Sequence, residues 1–100
     1  MKVNDILVGT AGYDMTLAYF YQVVSVSATG KTVQLAELRQ ERKNPAPGAE
    51  TALPLGIKES EKPIKRRVAS DWRGDKCIYA NDRLILRPWD GKPVRINTYD

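Results

Sequence analysis

The chain has 100 residues, of which 42% are apolar and 28% charged, with a formal net charge of +4. That length supports one modest hydrophobic core and is too short for two, so a single domain over residues 1–100 is expected. No apolar run reaches the roughly 18 residues that span a bilayer, and the opening MKVNDILVGT lacks a secretory h-region, so a cytosolic location is expected.

Two absences narrow the chemistry. There is no histidine, which removes the usual general base, the usual partner of a nucleophilic Ser or Cys, and the commonest metal ligand. The single cysteine, Cys77, cannot form an internal disulfide and cannot build a zinc site without histidine. It reads as a buried or half-buried strand residue. No catalytic, cofactor-binding or metal-binding residue is assigned, and the chain is not expected to be an enzyme.

In chain order, Val3 to Gly9 is a short strand with Ile6 and Val8 on one face. Gly9, Gly12, Asp14 and Thr16 then mark a loop. Leu17 to Ala28 is the strongest strand signal, with three aromatics, three valines and no charge. Its even positions (Phe20, Val24, Val26 and Ala28) read as the core face. Thr29-Gly30-Lys31 is a hairpin turn leading to a strand from Thr32 to about Arg39. Leu38 falls out of phase with Val33 and Leu35 there, which predicts a bulge or the end of pairing near Ala36-Glu37. Leu35 to Arg42 is the only stretch with helical propensity, and it has no N-cap.

Residues 41–63 hold four of the six prolines and many charges, and read as a long irregular loop. Ile64 to Ala69 alternates again. Asp71 to Asp75 is a turn, Cys77 to Tyr79 a strand, Asn81-Asp82 a turn, and Leu84 to Leu86 a strand. Pro88-Trp89-Asp90-Gly91-Lys92-Pro93 is a tight turn, and Val94 to Tyr99 is a closing strand. Many short strands separated by turn signals predict an all-β domain, a small SH3-like or rolled β-barrel.

Three polar patterns bear on function. Gly30-Lys31-Thr32 lacks the upstream glycine of a phosphate loop, having Ser25 there, and precedes a strand; it is a hairpin. Asp71, Asp75, Asp82 and Asp90 each sit in a turn, where aspartate bonds nearby backbone. The charge excess lies entirely in residues 51–100, with eleven Lys/Arg against seven Asp/Glu. Lys65, Arg66, Arg67, Arg73, Arg83 and Arg87 are therefore candidates for an anionic partner. With Trp72, Tyr79 and Trp89 they suit nucleic-acid binding through phosphate contacts and base stacking.

The two ends carry a more specific pattern. Gly12-Tyr13-Asp14-Met15-Thr16 with Phe20-Tyr21-Gln22-Val23-Val24, and Pro88-Trp89-Asp90-Gly91-Lys92-Pro93 with Thr98-Tyr99, resemble the opening and ending of a family of small proteins. These are encoded by bacteriophages and other mobile elements. Ala11 departs from the pattern, which has Trp before Gly-Tyr-Asp, and residues 40–85 match nothing in it. The resemblance implies a phage or mobile-element protein in the bacterial host cytosol, with the Tyr13–Asp14 loop beside the Trp89–Asp90 turn as a partner-binding pair. It leads to an expected non-enzymatic inhibitor that contacts a host protein or nucleoprotein, such as a CRISPR effector. The alternatives are a nucleic-acid-binding barrel using the basic second half, and a structural virion component.

Overall fold

The computed structural model describes residues 2–11, 17–43, 50–57, 62–81 and 84–96. The described residues contain nine strands and no helix, hence none long and apolar enough to cross a membrane. The strands are β1 (Ile6–Ala11), β2 (Leu17–Val26), β3 (Thr32–Lys43), β4 (Thr51–Ile57) and β5 (Ile64–Arg67), then β6 (Ala69–Ser70), β7 (Lys76–Asn81), β8 (Leu84–Pro88) and β9 (Val94–Arg95). All pairings are antiparallel.

The pairings close a ring. β1 pairs with β2, β2 with β3, and the first half of β3 with β5. The Val68 N–H then donates to the Lys31 carbonyl at 2.8 Å, carrying the chain from β5 into β6. β6 pairs with β7, β7 with β8, and β8 returns to β1 through Leu7↔Pro88 and Val8↔Arg87. The result is a small β-barrel, as the short strands and turns predict. Its interior is filled by Leu7, Val23, Val33, Leu35, Ile78, Ala80, Leu84 and Leu86.

A second core lies outside this ring. Ala18, Phe20, Leu38, Ala52 and Ile96 are buried together, with Ile6, Val8, Trp89 and Val94 packed against them. The first half of β2 is therefore covered on both faces. Its even residues Ala18 and Phe20 serve the outer core, while Tyr19, Tyr21 and Val23 pack toward the barrel. This corrects the expectation of one buried, even-numbered face. The register shifts between Val23 and Ser25, where Val24 is an extra residue opposite β3. Because side chains alternate with a period of two, that bulge moves the inward positions from Val23 to Val26 and turns Ser25 outward.

β3 continues as a strand to Lys43, so the stretch with helical propensity is extended. Leu38 falls out of phase because it leaves the barrel interior and joins the outer core. The residues read as an irregular loop, 41–63, contain a real strand: β4 pairs with the second half of β3, from Lys43↔Thr51 to Leu38↔Ile57. Pro54, which has no N–H to give, is tolerated because β9 covers only Thr51 and Ala52 on the other edge of β4. The closing strand also differs from expectation. Only Val94–Arg95 is a strand among the described residues, and it pairs with β4 while β1 takes β8.

One glycine fixes the barrel seam. Gly9 is buried on the same side of β1 as Leu7, and a Cβ there would lie 2.5 Å from the Ile85 carbonyl oxygen and 2.8 Å from Leu84 Cδ1. β8 can cross β1 this closely only where no side chain intervenes. At the β2–β3 hairpin, Gly30 takes φ +73° in open surroundings, as a turn with a left-handed residue requires.

Candidate partner-binding surface

The β6–β7 hairpin is built around Asp71. The Asp71 N–H donates to the Asp75 carbonyl at 2.9 Å and Gly74 N–H to the Asp71 carbonyl at 3.0 Å, closing the turn. Asp71 Oδ1 accepts from the backbone N–H groups of Arg73 at 2.9 Å and Asp75 at 3.0 Å. Its other oxygen, Oδ2, accepts from Arg87 Nη1 at 3.1 Å and lies 3.8 Å from Arg73 Nη2. The Asp71 side chain is only 4% exposed. Its burial opposes ionisation, but the two backbone donors and the Arg87 and Arg73 guanidinium groups outweigh this and hold its pKa below the ordinary value.

This arrangement presents Trp72 at the hairpin tip. Trp72 is 89% exposed, the most exposed of the large hydrophobic residues described. The Arg73 guanidinium carbon stands 5.4 Å from the indole centroid, within cation–π range. Arg73 is in turn held between Asp71 and Asp75, with Nε 3.8 Å from Asp75 Oδ2. The indole is thus offered on an ordered turn, which lowers the entropy lost on capture by a partner. On the neighbouring strands Tyr79 and Ile85 are cross-strand partners, 49% and 38% exposed.

Ile85 and Arg87 also line an open groove of about 420 Å³, walled by Val8 and Thr10 of β1 and by the segment Pro88 to Val94. Trp89 and Asp90, expected to meet a partner, lie in this wall. Trp89 meets Phe20 edge to face with ring centroids 6.0 Å apart, and its Nε1–H donates to the Lys92 carbonyl at 2.8 Å. Asp90 Oδ1 accepts from Lys92 N–H at 3.0 Å, where Gly91 takes φ +86°. Both side chains hold their own turn over the outer core. Tyr13 and Asp14, the other half of the expected pair, lie outside the described residues, as do Arg83 and the Thr98-Tyr99 end.

The described cations expected to meet an anion separate into three settings. Arg73 and Arg87 are engaged by Asp71. Arg66 shares the inward side of β5 with Ile64, and its Nε donates to the Ala80 carbonyl at 3.1 Å and Nη1 to its neighbour Lys65 carbonyl at 2.8 Å. It stitches β5 to β7, strands that share no ladder. Lys65 and Arg67 point outward from β5 and are exposed. Cys77 is buried, as its strand setting predicts. Among the described residues no group of three or more Asp, Glu, Cys or His is placed to hold a metal ion.

Sequence reasoning places Trp72 in a turn but does not show its exposure. The Asp71–Arg87 ion pair joins residues 16 apart, and no local spacing announces it. No protein-family model, curated protein or solved structure matches this chain.

Proposed function

We propose that this chain is a non-enzymatic binding protein of phage or mobile-element type, which acts by occupying a host protein or nucleoprotein through the Trp72 hairpin. The observation that carries this reading is the 89% exposure of Trp72 on an ordered turn. A tryptophan side chain of roughly 150–250 Å² forgoes several kcal/mol of apolar transfer, at about 25 cal/mol per Å², when left in water. Trp, Tyr and Arg dominate binding hot spots, and Trp72, Arg73 and Tyr79 supply these types from the β6–β7 hairpin and its second strand. The mobile-element origin, and a bacterial defence effector as the target, rest on the resemblance of the two chain ends; contact alone then suffices for inhibition.

The test is a tagged capture from bacterial lysate with and without nuclease, run with the native chain and with Trp72→Ala. A discrete protein held by the native chain through moderate salt and released by Trp72→Ala supports the reading. Recovery that disappears with nuclease, or capture indifferent to the substitution, overturns it.

A further inference from the structure

A second surface, made by different strands, carries a separate inference. On the outer wall of β2, β3 and β5 the register aligns Ser25, Gln34 and Lys65 in one cross-strand row. The next row holds Thr32 and Arg67, with Ser27 joined to Thr32 by the Ser27 N–H to Thr32 carbonyl bond of 2.9 Å. Between them lies a shallow hollow of about 180 Å³ lined by Ser25, Ser27, Thr32, Gln34 and Lys65 together with Val33. Lys31, next to Thr32 in the chain, is exposed in the adjoining hairpin turn.

The composition of this wall is selective. Each side chain of the two rows carries a hydroxyl, an amide or a cation, and no carboxylate lies among the described residues in them. By contrast Arg73 and Arg87 are engaged by Asp71, and Arg66 by carbonyls. Lys65 and Arg67 stand two positions apart on one strand, about 6.6 Å along it at the usual rise, on the side facing water. The Val24 bulge is what turns Ser25 into this row. A cationic wall studded with neutral donors, with no carboxylate among the described residues of its two rows, complements a chain of phosphates.

We infer that the β2–β3–β5 wall is a phosphodiester-binding surface, contacting the backbone of nucleic acid through Lys31, Lys65 and Arg67 with hydroxyl and amide donors between them. No aromatic side chain lies in the two rows, so bases are not stacked and the contact is indifferent to sequence. The surface is independent of the Trp72 hairpin and goes beyond the function proposed above.

The experiment is fluorescence anisotropy of a labelled DNA duplex titrated with the full chain across a salt series. Three cations on duplex phosphates give a slope of about −2.7 in log affinity against log salt, or roughly a 40-fold loss between about 50 and 200 mM. Lys65→Gln with Arg67→Gln is expected to cut that loss to roughly fourfold. Lys31→Gln alone lowers the slope by about 0.9, a separate reading should the double variant not fold. Lys76→Gln, on β7, and Trp72→Ala leave the slope unchanged, so this inference and the proposed function fail or stand separately. Absence of duplex binding, an unchanged slope in the Lys65, Arg67 and Lys31 variants, or competition by polyglutamate as strong as by unlabelled duplex overturns the inference.

Discussion

Gly9→Ala probes the closure of the barrel directly. The added methyl would stand 2.5 Å from the Ile85 carbonyl oxygen, 2.8 Å from Leu84 Cδ1 and 3.1 Å from Leu86 Cδ2. The two leucine methyl groups can move by rotation, but the carbonyl belongs to the β8 backbone and moves only if the strand moves. The β1–β8 seam is short: its ladder is Leu7↔Pro88 and Val8↔Arg87, extended by the Trp89 N–H to Ile6 carbonyl bond of 2.9 Å. Overpacking of this kind costs about 1–3 kcal/mol. The narrower unfolded ensemble of alanine returns about 0.4–1 kcal/mol only where the native geometry is unstrained, which is not so here.

A net loss of about 2 kcal/mol is therefore expected, a large share of the roughly 5–15 kcal/mol of a typical domain. With an unfolding entropy near 2.1 cal/mol/K per residue, it lowers Tm by about 10 °C. Thermal melting by circular dichroism reads this, and hydrogen exchange should place the loosening at the Trp89 amide. Gly30→Ala is the control for the other role of glycine: its surroundings are open and its φ is +73°, so only the left-handed backbone costs, about 1 kcal/mol. A Gly9→Ala melt within about 2 °C of the native chain would refute the seam as described.

Three further substitutions, at two residues, test the elements beside the seam. The pKa of Asp71 is lowered by folding, so its ionisation stabilises the fold above the ordinary aspartate value near 3.9 and ceases to do so as pH falls through the lower folded value. Asp71→Asn should destabilise the chain at pH 6 and converge with it in acid; a constant difference in Tm from pH 6 to 2 would contradict this. Trp89→Phe keeps an aromatic ring against Phe20 but removes the 2.8 Å bond to the Lys92 carbonyl, with an expected loss of about 1 kcal/mol. Trp89→Ala also opens the outer core and should cost about 3 kcal/mol, both read by urea denaturation.

Much of the barrel was legible because its strands announce themselves through β-branched and aromatic residues and its hairpins through Gly30 and Asp71–Asp75. The features that differ share a cause: alternation along a strand signals one buried face, whereas these strands serve two cores. Phe20 and Val23 lie on opposite faces of β2 and both are buried, and Leu38 serves a different core from Leu35. Local alternation does not report that a second core exists. β4 was hidden because Pro54 and Gly56 are strand breakers in general, and only its edge position makes them acceptable. On the functional side, residue type identified the cations, but their availability depends on partners distant in sequence. Arg87 is engaged by Asp71 and Arg66 by Ala80, whereas Lys65 and Arg67 face solvent.

The proposed function stands most directly on Trp72 as a contact residue with no part in the fold. The decisive measurement is the affinity of Trp72→Ala for the protein captured by the native chain, taken alongside its melting curve. A hot-spot tryptophan predicts a loss of about 2 kcal/mol or more, at least roughly thirtyfold in Kd, with stability changed by less than about 0.5 kcal/mol as for an exposed site. An unchanged Kd would contradict the account, as would a loss of affinity accompanied by a matching loss of stability.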